Sequence, residues 1–306
     1  MNKFNDQDKN LEDGIIDFKD IVKAVISHKL LITLLTSFFA IASVCYSLSL
    51  PNIYTSKAIL SVVDDSSSSS NGLSQFSGIA AFAGVSLPSS SNGSKKYLAI
   101  ETLKSRDFFS HLITHEFVLP GLVAYRAYDL ESKKISWNNS IYNDSTKEWT
   151  LEKPSFQQAY MTYSNALNIV EDIKSGFITI SVKHISPEFA FNFLELIINE
   201  LNLISRQRDI EESNRSLLYL YQQLETTIQS DIKKSINSLI ESQLKIQMLA
   251  NIKEEYLLSK LDKPYIPEKK SSPSRARLCI MGTIFGLFLS LIISISRYFI
   301  FSTKYI

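Results

Sequence analysis

The sequence predicts an α+β fold: a mixed domain spanning residues 51–277, held between two membrane-spanning helices. Three observations predict it. Leu30–Leu50 is a 21-residue run without a charge, and Leu278–Ser296 is a 19-residue uncharged run bracketed by Arg277 and Arg297. Between them lie stretches with the two-residue period of strands. The third is Glu188–Lys263, 76 residues without Gly or Pro, which reads as a long helical region over 187–263.

Each apolar run is long enough, at ~1.5 Å per residue, to cross a hydrocarbon core about 30 Å thick. Lipid offers the backbone no hydrogen-bond partner, so each span, 30–50 and 278–296, must be helical throughout. The first run does not suit a cleaved signal peptide. Such peptides have a short basic lead and an apolar core of about 7 to 15 residues, whereas 29 residues precede this run of 21. Cys45 follows Val44 rather than the small residue that precedes a lipidated cysteine. Lys19, Lys23 and Lys29 precede the first span and only Lys57 follows closely, which favours a cytoplasmic N-terminus. Lys269, Lys270, Arg275 and Arg277 before the second span oppose that orientation. A long loop crosses largely regardless of charge, however, so both termini are expected inside.

Residues 1–29 would then be a cytoplasmic segment and 297–306 a cytoplasmic tail. In the first, Ile15, Phe18, Ile21, Val22, Val25 and Ile26 recur at helical spacing among charges. That pattern suits either an amphipathic helix on the membrane surface or an extension of the first span. The two cysteines, Cys45 and Cys279, fall in the spans, so the central domain folds without disulfides. A net charge of +1, with the basic clusters beside the spans, gives no support for nucleic-acid binding. The cluster from Lys269 to Arg277 suits lipid headgroups or an anionic partner surface.

In the central domain, Tyr54, Ala58, Leu60 and Val62 alternate with Thr55, Lys57 and Ser61, and Ile178, Ile180 and Val182 alternate with Thr179, Ser181 and Lys183. Two strands of one sheet are expected. A solvated stretch, Asp64–Gly72, separates the first strand from helical patterns near Lys95–His115 and Ser155–Lys174. Ser186, Pro187 and Glu188 give a helix start: cap, first-turn proline and first-turn acid. A continuous helix to Lys263 would be on the order of 110 Å long, with Arg206–Ser213 the polar place for a break. Its apolar residues Leu217, Leu220, Leu224, Ile228, Ile232 and Ile236 need covering, by the same chain, by another copy, or by both. A ring of copies would cover every such stripe. A chain folded back into a bundle is the alternative.

Pro264, Pro267 and Pro273 make residues 264–277 an extended connector. Gly282 and Gly286 in GTIFG form a small-xxx-small pair that permits close helix approach in a membrane. No catalytic constellation is legible, and no GxxxxGK[ST] phosphate loop occurs. His111 and His115, with Glu116 beside them, could share a helix face, but HEFVL is not HExxH, and an exposed helical pair is expected. No cofactor or metal is indicated.

Several segments taken together, IIDFKDIVKAVISHKLLI, YTSKAILSV, SPEFAFNFLELIINELN, the helical run from Ser216 to Tyr256, and KPYIPEKKSSPSRAR before a glycine-containing span, resemble Wzz-type chain-length determinants, the polysaccharide co-polymerases. The resemblance reads most strongly from Ser186 to Gly286 and least from Ser66 to Thr150. It implies an inner-membrane protein of the kinase-free class, with a periplasmic domain that has a membrane-proximal α/β base and a long extended helix. It also implies assembly into a ring-like homo-oligomer. Such a protein acts with a separate Wzy-type polymerase on lipid-linked glycan and sets the modal length of lipopolysaccharide O-antigen or a related polysaccharide. It is not an enzyme. Pro264, Pro267, Pro273, Gly282 and Gly286 match the family's motif and are expected in membrane-helix packing or polymerase contact. Two other readings share the outline: an export adaptor for an ABC transporter, and a two-span periplasmic sensor, which would need an output domain after Ser296.

Overall fold

A computed structural model describes residues 25–63, 92–129 and 131–302. The chain forms two compact units, residues 53–270 and a second unit that joins 1–52 to 271–306. The expected amphipathic pattern from Ile15 to Val22 and the stretch Asp64–Gly72 lie outside the described residues.

The larger unit is built on a four-stranded antiparallel sheet whose strands lie in the order Leu167–Glu171, Ile178–His184, Tyr54–Val62, Leu258–Asp262. Strands β1 (Tyr54–Val62) and β7 (Ile178–His184) are neighbours, with Ala58 opposite Ile180 and Leu60 opposite Ile178. All four side chains are fully buried, so the period-two pattern fixes which face meets the core. Strand β6 (Leu167–Glu171) pairs with β7. It occupies part of the stretch where a helix to Lys174 is expected; the helix there, α5 (Phe156–Ala166), ends at Ala166. The β-branched Ile169 and Val170 suit the sheet better than a further helical turn. Asp172 shapes the turn back to β7: its carboxylate accepts from the Lys174 amide at 2.9 Å and from the Ser175 hydroxyl at 2.7 Å. Those bonds hold its carboxyl below the usual carboxylate range, and Gly176 takes the positive φ of 76° that closes the turn.

Helices α2 (Asn92–Lys104) and α3 (Arg106–Leu112) meet at Ser105, whose hydroxyl caps α3 by accepting from the Phe108 amide at 3.1 Å. The short helix α4 (Val118–Val123) follows. Two small hairpins then intervene before α5: β2 (Tyr125–Asp129) with β3 (Lys134–Trp137), and β4 (Tyr142–Asn143) with β5 (Glu148–Trp149). Tyr163 of α5 donates to the Leu103 carbonyl at 2.6 Å, and its burial pushes the phenol well above its ordinary pKa.

Helix α6 (Pro187–Thr226) begins as the sequence indicates. The Ser186 hydroxyl accepts from the Phe189 amide at 3.2 Å, with Pro187 in the first turn. Its first half is pressed onto the sheet, where Phe193, Leu194, Ile197, Ile198 and Leu201 are fully buried. The continuous helix to Lys263 is not formed. At 40 residues, or about 60 Å, α6 stops at Thr227, and α7 (Ser230–Ile252) returns along it. Strand β8 (Leu258–Asp262) then completes the sheet beside β1.

His184 sits at the end of β7 with its ring 4.3 Å from that of Phe189 and 4.6 Å from that of Tyr125. Its Nε2–H donates to the Gly121 carbonyl at 2.9 Å, and its Nδ1 accepts from the Ser186 amide at 3.1 Å. One neutral tautomer is thereby fixed. Burial outweighs these bonds and pulls its pKa from 6.5 down to about 4. Between those values the unfolded chain binds a proton that the folded chain refuses, so stability falls as pH drops. From pH 7 to pH 5 the loss from this residue is about 2 kcal/mol. Denaturant unfolding of the wild type and His184→Gln at both pH values checks it: the variant is expected to lose less over the interval, and equal losses would remove His184 as the cause.

Candidate assembly surfaces in the membrane helices and the helical hairpin

Helices α1 (Lys29–Ser49) and α8 (Arg275–Ser302) are the two helices long and apolar enough to cross a membrane among the described residues. They pack side by side, and the contacts run antiparallel. Thr36 lies near Ser290 at 3.5 Å between hydroxyls, the rings of Phe39 and Phe285 are 6.0 Å apart, and the Ser43 hydroxyl donates to the Leu278 carbonyl at 3.0 Å. Gly282 and Gly286 lie at this seam. A Cβ on Gly286 would come within 2.5 Å of the Phe39 Cβ, and one on Gly282 within 2.6 Å of the Ser43 Cβ. The four-residue spacing of the glycines matches that of Phe39 and Ser43, as ridges meeting grooves require. Ser290 and Ser294, fully buried, extend the line of small residues along α8.

Of the connector prolines, Pro267 is buried, Pro264 and Pro273 half-buried. The Ser56 hydroxyl donates to the Tyr265 carbonyl at 2.8 Å, which ties the connector to β1. Pro273 belongs with the helix pair, where Arg275 donates to the Asn52 side chain at 3.1 Å.

In the hairpin of α6 and α7, Leu217, Leu220, Ile236, Leu239 and Ile240 form a small separate core, with Leu224 packed against it. Ile232 is 46% exposed and Ile228 95% exposed, so neither belongs to that core; Ile228 falls in the turn itself. Thr226 and Thr227, adjacent β-branched residues, bond back to the Gln222 and Gln223 carbonyls, and Thr227 turns to extended geometry. The polar stretch Arg206–Ser213 does not break the helix because α7 and the segment after it use its side chains. Arg206 donates to the Lys253 and Glu254 carbonyls, both at 2.6 Å, Asp209 accepts from the Tyr256 hydroxyl at 2.8 Å, and the Ser213 hydroxyl donates to the Gln243 carbonyl at 2.9 Å. Asn202, 5% exposed, performs the same task for β8: its side-chain oxygen accepts from the Leu257 and Leu258 amides while its amide donates to the Leu258 carbonyl. Nothing in the sequence pattern marked Asn202, which looks like a routine polar position on a helix, and Arg206 stands out there only as the start of a polar stretch.

His111 and His115 depart from the expected exposed pair. His111 is in the last turn of α3 and His115 in the turn beyond it. Both face Glu200 of α6, with His111 Nε2 donating to one carboxylate oxygen at 2.6 Å and His115 Nε2 standing 3.3 Å from the other. Glu116 turns away, 3.7 Å from Lys147.

Two expectations follow from the packing. Leu220→Ala should loosen the hairpin by ~2–4 kcal/mol, the cost of a buried cavity, and raise amide exchange in α7, whereas Ile228→Ala should leave exchange unchanged. Gly286→Leu should lower the thermal midpoint of the detergent-solubilised chain, and Phe39→Ala on top of it should restore part of the loss. Strict additivity of the two changes would show that the residues do not touch.

The family model described as Wzz, chain length determinant protein, matches residues 14–116, about a third of the chain. No curated protein matches. Among solved structures, a full-length bacterial polysaccharide co-polymerase is 14% identical and aligns over 94% of this chain and 99% of its own, with a TM-score of 0.42. A fragment of WzzB, the polysaccharide co-polymerase from Salmonella Typhimurium, is 14% identical over 72% of this chain and 100% of its own, with a TM-score of 0.29. The family match covers the first span and β1 and extends through α2 and α3 to Glu116. It thus lies upstream of Ser186–Gly286, where the sequence resemblance is strongest, and includes part of Ser66–Thr150, where it is weakest. Over residues 14–116, this chain is similar to the Wzz chain length determinant proteins.

Proposed function

We propose that the chain is a polysaccharide co-polymerase that sets the modal length of lipopolysaccharide O-antigen or a related surface glycan. It does so without catalysing bond formation, as an oligomeric inner-membrane protein working with a separate Wzy-type polymerase on lipid-linked glycan. The family match over residues 14–116 carries this reading. The antiparallel packing of α1 and α8 supports a two-pass topology with both termini on one side, the cytoplasm in this proposal, and residues 51–277 periplasmic. Self-association is supported by apolar side chains that the hairpin leaves open: Leu218 and Tyr221 on α6, and Leu244, Met248 and Ile252 at four-residue spacing on α7, each 40% exposed or more. Pro264, Pro267 and Pro273 and the glycine pair are proposed to present the second span to the polymerase.

The test is to remove the protein from its host and resolve the surface polysaccharide on a gel. Loss of a modal cluster of lengths is expected; an unchanged ladder would sink the proposal, and loss of surface glycan altogether would point to an export adaptor instead. A Pro267→Ala, Gly282→Leu double variant should shift the mode while glycan still reaches the surface. A normal mode would withdraw those residues from the assignment.

A further inference from the structure

The two histidines and Glu200 sit together for a reason that chain-length control does not supply. One ring nitrogen of His111, one of His115 and a Glu200 carboxylate oxygen lie within 4.8 Å of one another. They come from parts of the chain far apart in sequence, α3 with its following turn and the middle of α6. Each is held by a buried neighbourhood. Phe108, Phe109 and Leu112 beside the histidines are at most 3% exposed, and Ile197, Ile198 and Leu201 beside Glu200 are fully buried. The turn is tied by the Thr114 hydroxyl and amide, which both donate to the His111 carbonyl, at 2.7 and 3.1 Å. Ligand atoms on rigid elements are what a metal site needs.

The donor set also fits. Two imidazoles and one carboxylate are ligands of borderline softness, suited to Zn²⁺ and its neighbours rather than to Mg²⁺ or Ca²⁺. At metal–ligand distances of about 2.0–2.1 Å, tetrahedral ligands stand about 3.3 Å apart. His115 Nε2 stands 3.3 Å from one Glu200 oxygen and His111 Nε2 2.6 Å from the other, so the carboxylate lies between the two imidazoles, and side-chain rotation brings one oxygen or both to a shared ion. The side chain of Glu200 is 13% exposed, while those of His111 and His115 are 39% and 35% exposed. The carboxylate therefore forms the floor and the imidazoles the rim, which leaves a fourth position open to water.

We propose that His111, His115 and Glu200 form a binding site for a divalent transition metal, Zn²⁺ by its donor chemistry, that clips the turn after α3 to α6. On binding, the metal takes one nitrogen lone pair from each imidazole, and any proton on that nitrogen moves to the other ring nitrogen or to solvent. The site neither uses nor requires the chain-length reading.

Full-length protein in detergent, with Cys45→Ser and Cys279→Ser to remove thiol ligands, should bind one equivalent of Zn²⁺ by titration calorimetry and gain a few degrees in thermal midpoint. Mg²⁺ should do neither. Co²⁺ in place of Zn²⁺ should give the visible absorption of a low-coordinate nitrogen and oxygen site. His115→Ala and Glu200→Gln should each weaken Zn²⁺ binding by roughly tenfold or more with helix content unchanged by circular dichroism, and His28→Gln and Glu116→Gln should not. Less than one equivalent bound by the parent protein, or binding unaltered in both His115→Ala and Glu200→Gln, would overturn the proposal. If a variant loses helix content, the stoichiometry and Co²⁺ spectrum of the parent decide.

Discussion

Packing of the first half of α6 against the sheet is the contact on which the larger unit depends. Phe193, Leu194, Ile197, Ile198 and Leu201 are removed from water completely, and burial at ~1.5–3 kcal/mol for each such side chain is ample to fix the helix axis. Everything that α6 positions follows from that axis. Glu200 meets the two histidines, Asn202 receives the turn into β8, and Arg206 receives the end of α7. Beyond Ser205 the sheet no longer covers α6. The second half then keeps the apolar stripe of Leu217, Leu220 and Leu224, which α7 returns to cover, while Leu218 and Tyr221 stay exposed.

This division explains what could be read from the sequence. Strands β1 and β7 were legible because alternation is a local signal and both strands bury one face. The start of α6 was legible because Ser186 and Pro187 act within one turn. The end was not, since no Gly or Pro marks it; two threonines whose hydroxyls bond back into the helix, and an exposed Ile228, do the work that a breaker performs elsewhere. Strand β8 was hidden for a different reason. LSKLD has neither alternation nor β-branched residues, and it becomes a strand because β1 offers a free edge and Asn202 accepts its entering amides.

Polarity was the signal most easily misread. Arg206–Ser213 looks like a weak place in a helix if its side chains are assumed to face water. Arg206, Asp209 and Ser213 instead supply the partners that the returning chain needs, and Ser213 does so at 1% exposure. A polar residue on a long helix can thus mark where another segment docks, and only the tertiary arrangement separates that case from a solvated face. The histidines carry the same lesson. Their four-residue spacing was visible, but the carboxylate that gives the pair chemical meaning is 85 residues further along.

In the membrane-helix pair, information runs the other way, from a few small residues to the whole interface. Hydrophobic burial cannot drive two apolar helices together in lipid, because the tails are as apolar as the side chains. What remains is close contact and a small number of hydrogen bonds. Gly282 and Gly286 let Phe39 and Ser43 approach the α8 backbone, and the approach lets the Ser43 hydroxyl reach the Leu278 carbonyl at 3.0 Å. A hydroxyl that would otherwise be stranded in hydrocarbon is satisfied across the seam. The antiparallel order of these contacts makes the register of one helix depend on the other, so a change at either glycine shifts the relation between the two ends of the chain.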